Sequence, residues 1–69
     1  MSKNDMIETI EFINAQLKEN KELVNAYAGK EDPGYDAIVV ICELSEALLE
    51  IKGLYKEMLL WDYGIYYKG

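Results

Sequence analysis

The segment from Tyr35 to Trp61 carries two apolar stripes at helical spacing, and one neighbouring helix cannot cover both. Ala37, Ile41, Leu44, Leu48, Ile51, Tyr55 and Met58 recur every three or four residues, the spacing that brings side chains to one face of an α-helix. At roughly 100° per residue, Val40, Ala47 and Leu54 widen that stripe on one side. Ile38, Cys42, Leu49 and Leu60 form a second stripe, roughly 145° from the first. A helix built this way needs a helix of its own chain on one stripe and more protein on the other, which predicts self-association.

The preceding segment supplies the intramolecular neighbour. Met6, Ile10, Ile13, Leu17, Val24 and Tyr27 follow a four-three repeat, and Asn20 fills its remaining position. A polar residue there either fixes register and partner number or marks a frayed, surface position. Phe12 and Leu23 lie off the repeat and suggest a further contact surface. Asn4 or Asp5 suits the N-cap, with Glu8 and Glu11 favourably placed near the positive end of the helix dipole. Ala28-Gly29 suits the helix end. Lys30-Glu31-Asp32-Pro33-Gly34 is the one clear turn, because Pro33 cannot continue a helix and Pro-Gly marks a reversal. Asp32 or Asp36 then starts the second helix. Gly53, which costs about 1 kcal/mol against Ala in a helix interior, marks a kink, a close contact or a break into a short third helix.

The expectation is one all-α domain over residues 1–69: a helix over about 5–28, a turn over 29–35, a helix over about 35–62 and an aromatic tail over 61–69. The antiparallel hairpin assembles into a homo-oligomeric helical bundle, with Ile38, Cys42, Leu49 and Leu60 at the oligomer interface. Size points the same way, since 69 residues bury only a thin core and isolated helical hairpins are marginal. Cys42 is the only cysteine, so no intrachain disulfide forms. It sits in the apolar run from Ile38, which suits a buried, inert thiol in a reduced compartment. The start of the chain has no signal-peptide pattern, and no apolar run approaches membrane-spanning length, so a soluble cytoplasmic protein is expected.

Charge narrows the function classes. Thirteen acidic residues oppose seven lysines, for a net charge of -6, and the chain has neither Arg nor His. No imidazole is available for a catalytic dyad or a zinc site, and no guanidinium fork for phosphate or guanine. Repulsion opposes direct nucleic-acid binding and anionic membranes. A basic protein surface or a metal ion suits the chain better.

On the second helix Glu43, Glu46, Glu50 and Glu57 fall within roughly 60° of one another, roughly 130° from the main apolar stripe. That strip is either a solvated edge or a grip for a divalent cation such as Mg²⁺, which takes oxygen ligands. The run Glu43-Leu-Ser-Glu46-Ala-Leu-Leu-Glu50-Ile-Lys-Gly53-Leu-Tyr55-Lys56 resembles the first metal-binding helix of the all-α nucleotide pyrophosphohydrolases of the MazG and dimeric dUTPase types. Their helix carries a Glu-x-x-Glu pair, often as Glu-Leu-Gly-Glu; Glu43 and Glu46 match the pair, and Ser45 stands at the small Gly. The resemblance implies Mg²⁺ held by Glu43, Glu46 and Glu50, and hydrolysis of nucleoside triphosphates to monophosphates. The family's second acidic helix, usually with a Glu-x-x-Asp pair, has no counterpart: Glu57 and Asp62 are five apart. What it implies is a reduced relative without the hydrolase chemistry.

The tail places Trp61, Tyr63, Tyr66 and Tyr67 within seven residues. Aromatics with polar tips are frequent at recognition surfaces, and they also fold back to cap small bundles. Tyr27, Tyr35 and Tyr55 can stack a base or a ring and Lys30 can meet a phosphate, or the tyrosines are packing residues and the lysine is solvated. The expected function is a small acidic, non-enzymatic binding protein. It has the size and acidity of a phage-type inhibitor that sequesters a basic host protein surface or a small nucleotide signal. The alternative is a Mg²⁺-dependent nucleotide pyrophosphohydrolase or nucleotide binder.

Overall fold

The computed structural model describes residues 2–28 and 35–69, the side chain of Tyr35 excepted. Two helices, α1 (Lys3–Ala28) and α2 (Tyr35–Tyr63), pack against each other as a hairpin. The expected turn and the Gly29 cap, with Lys30, Asp32 and Pro33, lie outside the described residues.

The cap of α1 is Ser2, not Asn4 or Asp5. The Ser2 hydroxyl accepts from the Asp5 backbone N–H at 3.2 Å, and its carbonyl accepts from the Met6 N–H at 3.1 Å. A serine side chain satisfies an orphan amide as well as Asn or Asp does, so the helix starts at Lys3, earlier than expected, and Asp5 falls in the first turn. Asp36 likewise lies in the first turn of α2, where a carboxylate complements the helix dipole.

α2 passes through Gly53 unbroken, so no third helix forms. A Cβ built at Gly53 meets nothing within 4 Å, which removes the close-contact reading within the hairpin. The helix ends at Gly64, whose φ of 65° is the left-handed cap that glycine adopts without penalty. Gly64 N–H donates to the Leu60 carbonyl at 3.0 Å, and Ile65 N–H donates to the Leu59 carbonyl at 3.1 Å. The reversal lays Ile65 and Tyr67 back on the hairpin.

The core sits at that end, where α1 begins and α2 finishes. Met6, Ile10 and Leu59 form its buried cluster, with Ile7, Tyr55, Ile65 and Tyr67 packed around them. Ile13 is the one other buried apolar residue among the described residues. Towards the turn the seam becomes polar: Asn20 Nδ2 donates to Ser45 Oγ at 3.2 Å, and Ser45 Oγ donates to the Ile41 carbonyl at 2.8 Å. Asn20 thus lies in the seam between the helices and is paired across it.

The face that α2 turns toward α1 differs from the expected one. Ile38, Ile41, Ser45, Leu48, Lys52 and Tyr55 are half-buried and Leu59 is fully buried, a four-three repeat along the contact. Leu44, Ile51 and Met58, expected on that contact, are exposed. The two ends of the hairpin fix this rotation. Seating Ser45 opposite Asn20 turns Leu44 outward, and covering Leu59 with the tail turns Met58 outward, because neighbours on a helix point roughly 100° apart.

Candidate interaction surface

With α2 turned this way, Val40, Leu44, Ala47, Ile51, Leu54, Met58 and Trp61 make an unbroken apolar ladder on its outer side. Steps of four and three residues keep them on one seam, as in a coiled coil. All are exposed, the larger ones from 41% at Met58 to 82% at Trp61. The ladder lies roughly 120° around α2 from the stripe that contacts α1. Phe12 and Leu23, the off-stripe residues of α1, are exposed as well.

The expected oligomer stripe is divided. Ile38 is half-buried in the hairpin, whereas Cys42, Leu49 and Leu60 are exposed. Cys42 therefore differs from the buried thiol expected from its apolar run: on a helix with one neighbour, a run of apolar residues points in all directions, and only part of it is covered.

Glu43, Glu46, Glu50 and Glu57 form an exposed strip beside the ladder. Glu46 also borders a shallow cleft of about 370 Å³, shared with Asn20, Lys21, Asn25, Cys42 and Ser45. Among the described residues no three acidic or cysteine side chains converge as a group that could hold a metal ion.

The aromatic residues have separate fates. Tyr67 is half-buried against the core cluster, and Tyr66 and Tyr67 line a small open pocket of about 150 Å³ with Lys56, Glu57 and Leu60. Trp61, Tyr63 and Tyr66 are exposed, Tyr66 at 75%. Tyr27 is half-buried near the end of α1. Lys30 and the Tyr35 side chain lie outside the described residues.

Sequence reasoning missed Leu59 and Ile65. The available signal was Gly64 after a long helical pattern with an apolar residue next in line, the usual form of a left-handed cap whose following residue packs back. Among the described residues no helix is long and apolar enough to cross a membrane. No family model matches the chain, and no characterised protein or solved structure is significantly similar to it. The likeness to the MazG-type helix rests on the residues of α2 alone.

Proposed function

We propose that this chain is a small acidic, non-enzymatic binding protein that works as a homo-oligomeric helical bundle. The observation that supports this reading is the ladder on α2: most large apolar side chains of the helix lie outside the hairpin. Soluble monomers rarely expose apolar patches beyond a few hundred Å², and larger ones mark interaction surfaces. The acidic strip beside the ladder gives the assembly a negatively charged edge, suited to a basic protein surface. Trp61 and Tyr66, aromatic and exposed, are the natural anchors at its end.

The test pairs thermal melts with binding to a cationic probe, for which a polylysine peptide suffices. The reading predicts binding that weakens as salt rises, and loss of binding in Glu43→Gln/Glu46→Gln/Glu50→Gln with little change in melting temperature. A melting temperature raised several degrees by Mg²⁺ or Mn²⁺, and further by a nucleotide, in the parent but not in that variant would contradict it and favour the pyrophosphohydrolase-like alternative.

A further inference from the structure

We propose that a second copy of this chain docks on the face made by the α2 ladder together with Phe12 and Leu23, leaving the Cys42 side outermost. The inference deepens the reading above by naming the surface, and it rests on that reading only in requiring an assembly.

The placement follows from the hairpin's own geometry. Lys21 and Asn25 of α1 share a cleft with Cys42, Ser45 and Glu46 of α2, so these residues mark one broad side of the hairpin. Turning the other way from the contact stripe, at roughly 100° per residue, α1 presents Phe12 and Leu23 while α2 presents its ladder. In antiparallel helices these rotations bring both sets to the same side. Asn20 pairs with Ser45, which sets Leu23 near the level of Leu44 and Phe12 near that of Leu54. That side of the molecule is therefore apolar along α2, while on α1 Phe12 and Leu23 are apolar points with Gln16 and Glu19 between them.

Area identifies the occupant. The chain exposes 5191 Å², whereas size scaling for a folded chain of 7.9 kDa gives about 4,400 Å². The excess of about 800 Å² equals one partner's share of a standard protein interface. It arises because the hairpin is a rod of 49 × 17 × 15 Å with a core at one end. Laying two rods face to face doubles the short dimension and removes that excess. A ladder of four-three spacing is also complementary to itself, since its side chains fit the gaps between an identical set. Four residues are the only buried apolar ones among the described residues, so a hairpin this thin gains its missing core from the one partner present wherever the chain is made.

Two stripes compete for the role, and they predict different behaviour of Cys42. Docking on the ladder leaves its thiol in solvent; docking on the Cys42, Leu49 and Leu60 stripe covers it. The experiment measures mass by light scattering for the full chain, Leu54→Glu and Leu49→Glu, and the rate at which a maleimide labels Cys42 in the wild-type assembly. Both substituted residues are exposed in the hairpin, at 60% and 53%. The expected result is an assembled wild type and Leu49→Glu. Association of Leu54→Glu should weaken by about a hundredfold or more, the effect of burying an unpaired carboxylate in a seam. Cys42 should label as fast in the assembly as in the diluted chain. Should Leu54→Glu fail to fold, the Cys42 rate decides alone. A Cys42 protected by assembly, or assembly lost in Leu49→Glu and kept in Leu54→Glu, overturns the face while leaving the oligomeric reading intact. A wild type that stays monomeric at high micromolar concentration overturns both.

Discussion

The stripe of α2 that faces α1 is more polar than the ladder that lies a third of a turn away from it. The inward stripe contains Ser45 and Lys52 among its apolar residues, whereas the outward ladder from Val40 to Trp61 contains no polar residue at all. If the hairpin were the whole functional object, burial would favour the opposite rotation, because each large apolar side chain removed from water contributes about 1.5–3 kcal/mol. The inward face instead satisfies local demands: a polar partner for Asn20, and a place for Leu59 under the returning tail. The more apolar seam is left exposed by the hairpin. The packed stripe and the exposed ladder thus lie about a third of a turn apart on one helix.

The comparison breaks most sharply at the core end. Ile10→Ala or Leu59→Ala removes a fully buried side chain and should cost about 2–5 kcal/mol in urea or thermal unfolding. Deleting the same kind of side chain from the ladder has a different signature. Leu54→Ala should lower the melting temperature at high protein concentration and leave it nearly unchanged in dilute solution, where the ladder is already exposed. Equal losses at both concentrations would show that Leu54 packs within the hairpin. Ser2→Ala removes the cap of α1 and should cost about 1 kcal/mol, read by unfolding in denaturant, with no change in mass. Gly53→Ala should be mildly stabilising, by about 0.5–1 kcal/mol, because the added Cβ meets open space. A loss there would mean that another copy approaches Gly53 closely. Added salt should tighten self-association slightly, by screening two chains of net charge -6 from each other. Loosening would mean that ion pairs between copies hold the seam.

The hairpin itself was legible from periodicity. Met6, Ile10, Ile13 and Leu17 run every three or four residues along α1, and Pro33-Gly34 punctuates the chain where a reversal is expected. The rotation of α2 was not legible. Its apolar residues make two stripes, so periodicity alone cannot choose a face; the observed face is the one that pairs Ser45 with Asn20 and seats Leu59 beneath the returning tail. Ser45 illustrates the difficulty, since it reads as a small residue within an acidic motif and acts as the seam partner of Asn20. The acidic strip was legible as a strip, because three- and four-residue spacing fixes it whatever face α2 shows. What such a strip binds depends on charges supplied from elsewhere, which no spacing within α2 encodes.

The most direct measurement is the melting temperature of the unmodified chain across a hundredfold range of protein concentration. The account predicts a midpoint that climbs steadily with concentration, as it must when folding and association are coupled. A sharp, cooperative transition at one fixed temperature throughout that range would mean that the hairpin is stable alone, and that the outward ladder of α2 is not a seam between copies.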